Sequence, residues 1–347
     1  MSSVAALAVP ALCAFAVCVV VVIASLAYAH RRGLLDQPGQ RRSHTHPTPR
    51  GGGIGIVAAV LLCAMPALAL LPQAWPVSTV VVLALALLAV AAVGWRDDHG
   101  DLPALPRFAV HLLASFAVGA VLLWPFAQTD PKAWAWLFAI ALVFTGSINA
   151  HNFMDGIDAI LALQALFVLS GYALLAHGLG ATALTAACLA SAAACLGFLL
   201  FNLPPARIFM GDVGSGMLGL LVAAVAGLLV QRSIALLWPC AILASAFVAD
   251  AALTLASRVL AQKRWYTAHR EHLYQWMTRA GGSHAKTDGA YVLWNLIIVA
   301  PAAWAAVRWP AYGIAFCVGI YALSALVWWC GKRACLSAVR SDRHVAA

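Results

Sequence analysis

Apolar runs of roughly twenty residues recur along the whole chain, separated by short polar segments. A run of that length with almost no charge is what an α-helix needs to cross the hydrocarbon core of a bilayer, about 30 Å thick. The pattern predicts about eleven spans, at roughly 4–29, 52–71, 77–95, 107–127, 133–150, 159–176, 181–201, 213–230, 234–257, 289–307 and 311–330. Five polar interruptions stand out. They are Thr48-Pro49-Arg50-Gly51-Gly52-Gly53, Asp97-Asp98, Asn152-Phe153-Met154-Asp155-Gly156-Ile157-Asp158, Ile208-Phe209-Met210-Gly211-Asp212 and His269-Arg270-Glu271-His272. Each follows an odd-numbered span, so counting crossings puts all five on one face of the membrane.

Composition narrows the class. The 347 residues are 64% hydrophobic and 10% charged, with mean hydropathy +0.90. A soluble fold could not cover that much apolar surface, so the expectation is an all-α polytopic integral membrane protein. One membrane domain, 1–347, accounts for the chain, with 331–347 as a short tail. The segments between even and odd spans are very short, as at Pro72–Pro76 and Gln231–Ser233, whereas His30–Arg50 and Arg258–Asp288 are long and polar. No internal repeat is visible, which weakens an inverted-repeat transporter reading.

Charge sets the expected orientation. Of the 21 Lys and Arg residues, only Lys132, Arg232 and Arg308 fall on the face opposite the five motifs. Cytoplasmic segments carry the basic excess, so the N-terminus is expected outside, the C-terminus inside and the motif face in the cytoplasm. The net charge of +9 suits anionic headgroups or an anionic substrate and gives no nucleic-acid signal. Ala27-Tyr28-Ala29 has the form of a signal-peptidase site, but the apolar run is too long and no basic region precedes it, so the first span is expected to be retained. The nine cysteines lie mostly inside spans without a C-x-x-C pair and read as small buried residues.

The candidate chemistry lies in the carboxylates. Of the twelve acidic residues only Asp130 lies away from the motif face, and Glu271 is the sole glutamate. Such use of Asp suggests short, stiff geometry of the kind that holds a hard metal. Asp97-Asp98 ends the third span; it reads either as a helix terminus, with Asp101 opening a turn, or as a carboxylate pair needing a cation. Asn152, Asp155 and Asp158, at three-residue spacing, project from one side of a helix or tight turn, and Gly156 lets backbone approach a ligand. A simple helix cap would need only one of the three. Asp212 is a candidate metal ligand, and Gly211, Gly214 and Gly216 expose N–H groups at a helix start that would favour phosphate. Phe209 is either a base-stacking residue or an interfacial anchor. His269 and His272 lack a third ligand at matching spacing, so phosphate contact through Arg270 and a histidine fits better than zinc. Asp250, about two turns inside the ninth span, is either functional or a helix-to-helix polar bond.

Together these segments resemble the polyprenyl-phosphate N-acetylhexosamine-1-phosphate transferases, whose members carry a TPRGGG-like loop, an aspartate pair, N-x-x-D-G-x-D, F-M-G-D-x-G-S and a His-rich last loop. The resemblance covers nearly the whole chain. It implies attack of undecaprenyl (polyprenyl) phosphate on the β-phosphorus of a UDP-N-acetylhexosamine, with release of UMP, at a bacterial inner membrane. It further implies Asp97 as base or nucleophile, Asp98 as its magnesium-side partner and Asp212 as the direct Mg²⁺ ligand, with Mn²⁺ as a substitute. Asn152, Asp155, Asp158 and Asn202 would contact nucleotide and diphosphate, and Phe209 would stack on uracil. Arg50, His269, Arg270 and His272 would hold the diphosphate or sugar. Two departures matter. Ala159 stands where the family often has Gly, and the methyl is expected to tighten packing without loss of activity. The last loop lacks the triple histidine of the phospho-N-acetylmuramoyl-pentapeptide transferases, which argues against that substrate; His269-Arg270-Glu271-His272-Leu273-Tyr274-Gln275 instead resembles bacterial members that start O-antigen or other surface glycans, with N-acetylfucosamine, N-acetylquinovosamine or N-acetylglucosamine as first sugar. A homodimer is left open. The competing reading, an ion-coupled transporter, would want carboxylates near midplane, where only Asp250 comes close. A non-catalytic lipid or nucleotide-sugar binder would be expected to lack Asp97-Asp98 or Asp212.

Overall fold

A computed structural model describes residues 3–33, 35–36, 47–100, 102–264 and 269–345. Asp101, read above as opening a turn, lies outside the described residues. Apart from the two-residue antiparallel pair β1 (Leu35–Asp36) and β2 (Thr48–Pro49), the regular structure is helical. In order come α1 (Ser3–Arg32), α2 (Ile54–Leu70), α3 (Val77–Asp98), α4 (Ala104–Ala127), α5 (Leu137–Met154), α6 (Ile160–Gly178), α7 (Thr182–Asn202) and α8 (Asp212–Arg232). Then follow α9 (Ile234–Leu243), α10 (Ser245–Leu260), α11 (Leu273–Arg279), α12 (His284–Arg308) and α13 (Gly313–Val345).

Among the described residues, nine helices are long and apolar enough to cross a membrane. The two other expected spans differ in form. The second is the shorter α2, which widens into a π turn at Val60–Ala64 just before Pro66. Proline has no N–H to give the residue four back, so the ladder slips by one there. The same device recurs in α12, where Asn295–Val299 is wide ahead of Pro301. The ninth is a pair, α9 and α10, bent by 70° at Ala244. The bend tilts α10 so that Asp250 faces α11, α12 and α13.

At the centre stand α7 and α8, with 78% and 83% of their apolar stretches buried, against 22% for α1 and α5. Helix α7 packs on α1 and α6, while α8 packs on α3 and α5. Both central helices are rich in Ala and Gly, which lets backbones approach closely where no hydrophobic effect drives helices together in lipid. The bundle end away from the motifs is closed by Trp75, whose Nε1 donates to Gln231 Oε1 at 2.8 Å and whose ring lies 4.1 Å from the Arg232 guanidinium.

Candidate active site

Helices α3 and α8 meet so closely that a Cβ on Gly94 would collide with the Asp212 carbonyl. That contact sets the last turn of α3 against the first turn of α8. Asp98 then caps α8 from outside: its Oδ1 accepts from Asp212 N at 3.0 Å and its Oδ2 from Val213 N at 3.1 Å. Its side chain is 2% exposed. A carboxylate on orphan N–H groups at the positive end of a helix is favourable on both counts. Gly211, at φ +77°, leaves the room, since a Cβ would stand 2.5 Å from Asp98 Oδ2. The phosphate expectation for this helix start is therefore corrected. The first N–H groups of α8 go to Asp98 and to the Gly211 carbonyl, which accepts from Gly214 and Ser215 at 3.1 Å.

Asp97, one residue earlier, faces the other way. Its Oδ1 accepts from Leu102 N at 2.8 Å, and its Oδ2 accepts from Arg107 Nη1. The same Nη1 donates to Asp212 Oδ2 at 3.0 Å. Two carboxylates more than a hundred residues apart in sequence thus converge on one cation from the start of α4. Arg50 Nη1 lies 4.0 Å from Asp98 Oδ1 on the same side.

The first motif is fixed by backbone pairing with the fourth. Phe209 N donates to the Pro49 carbonyl at 2.8 Å, Gly52 N to that of Phe209 at 2.9 Å and Gly53 N to that of Met210 at 2.9 Å. A Cβ on Gly53 would stand 2.5 Å from Gly214 Cα, so two glycines meet backbone to backbone. This leaves Phe209 half-buried beside Arg50 in sequence register.

The third motif divides by role. Asn152 Nδ2 donates to Ser215 Oγ at 3.1 Å, which ties α5 to α8. Asp155 is half-buried, and burial followed by the Asp212 and Asp98 charges pushes its carboxyl up to about 8. Asp158 turns into the protein, with Oδ2 accepting from Ala206 N at 3.1 Å and 3.2 Å from His284 Nδ1. Asn202 does likewise: Oδ1 accepts from Ala159 N and Nδ2 donates to the Ile208 carbonyl, both at 2.9 Å. Asp158 and Asn202 thus hold the loops around the centre. Ala159 itself sits at φ +64°, the left-handed region that costs an L-residue about 1–2 kcal/mol, which is the physical reason a glycine suits this position.

The last motif closes over the third. His269 and His272 stack at 5.0 Å, and Phe153 approaches both rings, at 6.3 and 6.2 Å. Tyr274 Oη donates to the Phe153 carbonyl at 2.9 Å, passing so close to Gly156 that a Cβ there would clash. Burial, then the His272 and Arg258 charges, pull the His269 imidazole down to about 4, so it is neutral at pH 7. Arg270 is half-exposed, and Glu271 points away, at 2.6 Å from Arg258 and 3.1 Å from Lys263.

Asp250 is a helix-to-helix hub. Oδ1 accepts from Leu273 N at 2.9 Å, Thr254 Oγ1 at 3.1 Å and Trp328 Nε1 at 3.1 Å; Oδ2 accepts from Tyr291 Oη at 2.7 Å. His272 Nδ1 lies 3.7 Å away. The carboxylate caps α11 and joins it to α10, α12 and α13.

All five motif segments therefore meet at one end of the bundle. Sequence reasoning missed Arg107, read only as part of the basic excess, and the supporting partners His284, Tyr291 and Trp328. The one available signal for Arg107 was a cation in the first turn of a span, ten residues after an aspartate pair. Among the described residues, no three His, Cys, Asp or Glu side chains form a group able to hold a metal ion by themselves.

Residues 80–230 match the model of glycosyl transferase family 4. The chain is 32% identical over 311 residues to the decaprenyl-phosphate N-acetylglucosaminephosphotransferase of Mycobacterium tuberculosis, covering 79% of this chain and 76% of the relative. It is 28% identical over 266 residues to the probable undecaprenyl-phosphate N-acetylglucosaminyl 1-phosphate transferase of Bacillus subtilis, covering 73% and 72%. A third relative, the phospho-N-acetylmuramoyl-pentapeptide-transferase of Geobacillus thermodenitrificans, is 44% identical over 93 residues, 26% of this chain and 29% of its own. With the five motifs gathered in space and a relative of this identity spanning most of both sequences, the chain belongs to glycosyl transferase family 4, the polyprenyl-phosphate N-acetylhexosamine-1-phosphate transferases.

Proposed function

We propose that the protein transfers an N-acetylhexosamine 1-phosphate from a UDP-sugar to undecaprenyl or a similar polyprenyl phosphate, releasing UMP, as the first membrane step of an envelope glycan. The observation that carries this reading is the convergence of Asp97 and Asp212 on Arg107 where the five motif segments meet. The basic excess on that end supports a cytoplasmic site in a bacterial inner membrane with the N-terminus outside. The names of the two long-matching relatives favour N-acetylglucosamine as first sugar, and the missing triple histidine argues against the muramoyl-pentapeptide.

The chemistry joins two anions. An oxygen of the lipid phosphate forms a bond to the β-phosphorus, the bond from that phosphorus to the bridging oxygen breaks, and UMP leaves with that oxygen. Arg107 and Arg50 offset the charge of the approaching phosphates. Asp97 either takes the proton of the lipid phosphate or attacks the β-phosphorus itself. Asn152 and Asp155 stand on the nucleotide side, with Phe209 available to stack on uracil. His269, neutral at pH 7, can offer a hydrogen bond to diphosphate or sugar but no charge.

Mg²⁺, with Mn²⁺ as substitute, suits the donor set. Asp97 and Asp212 already share one cation, and the Asp155 carboxyl, raised first by burial and then by the Asp212 and Asp98 charges, stands near them. Mg²⁺ typically takes one or two carboxylates and completes its shell with water and phosphate oxygens, so a cage of protein groups alone is not required. When bound, the ion would neutralise the diphosphate and stabilise the departing UMP. Asp250, the carboxylate a transporter reading needs, accepts hydrogen bonds from donors on four helices, α10, α11, α12 and α13.

The test is UMP release by detergent-purified protein given undecaprenyl phosphate, Mg²⁺ and a panel of UDP-N-acetylhexosamines, with Asp97→Asn alongside. Lipid-dependent release favouring one sugar is expected. Equal release by Asp97→Asn, or none across the panel from folded protein, would overturn the reading.

A further inference from the structure

The segment that follows His269 also lines a cavity of ≈ 480 Å³, through Glu271. It sits where α10, α11 and α13 come together, and its walls include Ser257, Lys263, Glu271, Trp276, Arg279 and Lys332. Its charge is unbalanced. Glu271 is the one carboxylate in the wall, and it is already held at 3.1 Å by Lys263 and at 2.6 Å by Arg258. Arg279 and Lys332 have no carboxylate partner among the described residues. Arg279 stacks 4.2 Å over Trp276 and donates to the Arg270 carbonyl at 3.1 Å. Lys332 lies 4.4 Å over Trp328 and 3.4 Å from Ser257 Oγ. Two cations thus face the cavity without a carboxylate in ion-pair range among the described residues, Glu271 acting on Lys332 only from farther off.

Its position points to the ligand. On α13, Trp328 and Trp329 are followed at once by Lys332 and Arg333, each stacked back on one of the indoles. Aromatic rings capped by basic side chains mark the headgroup level of a membrane helix. Beside the cavity mouth, Val259 and Leu260 end α10 as exposed apolar residues, Leu260 at 84%. A soluble anion has no use for that edge, whereas acyl chains do. We propose that the cavity seats the phosphodiester headgroup of an anionic phospholipid between Arg279 and Lys332, with the acyl chains along the apolar edge of α10 and α13. The cavity adjoins the last motif through Glu271 and the Arg270 carbonyl, but its test reads lipid binding and does not depend on turnover.

The full-length protein, reconstituted in phosphatidylcholine with or without phosphatidylglycerol, would be extracted gently and its bound lipid counted by native mass spectrometry. Retention of phosphatidylglycerol over phosphatidylcholine is expected. At ~1 kcal/mol for each basic residue near an anionic surface, Arg279→Gln with Lys332→Gln should weaken that retention by about tenfold or more. Arg333→Gln, one residue along but outside the cavity wall, should leave it unchanged. Glu271→Gln should raise retention, a change of opposite sign that loss of structure cannot produce. Inorganic phosphate is the competing source of the same chemistry. If phosphate alone stabilised the phosphatidylcholine-embedded protein and phosphatidylglycerol added nothing, the lipid assignment would fall. Equal retention by the double variant, or equal loss in Arg333→Gln, would overturn the site.

Discussion

Asp97 and Asp98 are adjacent, yet the helix turn between them sends one to a cation and the other to a helix N-terminus. Asp98 spends both oxygens on the N–H groups of Asp212 and Val213, which places Asp212 without touching its side chain. Asp98→Ala should therefore cost about 1 kcal/mol as a lost cap, and more where the freed groups stay dry, read as a lower unfolding temperature. Asp97→Asn keeps the size and removes the charge. It should leave the unfolding temperature close to that of the parent while UMP release disappears. Asp212→Asn should behave as Asp97→Asn does, and near-normal turnover in either would sink the roles given to them. At Ala159 two effects oppose each other. Its methyl adds packing in a fully buried site and φ +64° strains any L-residue, so Ala159→Gly should shift thermal unfolding by less than about 1 kcal/mol.

At the scale of elements, glycine contacts set where the motif segments meet. Gly53 and Gly214 touch through their backbones, and the pairing of 49–53 with 209–210 follows from that approach. Gly53→Ala should force the first motif away from α8, costing about 1–3 kcal/mol of overpacking and lowering activity with Asp97 and Asp212 intact. Unchanged unfolding and turnover in this variant would show that the contact is dispensable. This layer was poorly legible in the sequence. The apolar runs located the helices because lipid demands length and low charge, and nine of the described helices are long and apolar enough to cross on that ground alone. The short α2 and the bent α9–α10 pair were read as ordinary spans because a π turn before Pro66 and a break at Ala244 leave hydropathy unchanged. The motifs marked the segments that come together, since Asp, Asn and His stand out in an oily chain. Which side chains turn inward was hidden, because Asp158 and Asn202 look no different in sequence from Asp155. Arg107 was invisible as a bridge because its two partners are brought together only by the α3–α8 contact.

For the whole molecule, the deciding quantity is the negative charge collected at one end of the bundle. Asp155 carries its mark: burial, then Asp212 and Asp98, push its carboxyl from 3.8 up to about 8. Between those values the folded protein holds a proton that the unfolded chain has released. The unfolded state then binds fewer protons, so stability falls as pH rises from about 4 to about 8 and levels off above. A divalent cation bound among these carboxylates would favour the ionised form and oppose that fall. The expectation is that unfolding temperature in EDTA declines across pH 5 to 8, that Mg²⁺ or Mn²⁺ flattens the decline, and that Asp155→Asn makes it shallower. Activity should follow the same ions, being lost in EDTA and restored by either. Full turnover in chelator would take the metal out of the mechanism, and a pH profile unmoved by Mg²⁺ would place the ion away from Asp155. The first result would leave Arg107 as the cation that Asp97 and Asp212 share, and the approach of two phosphates would then rest on arginine alone.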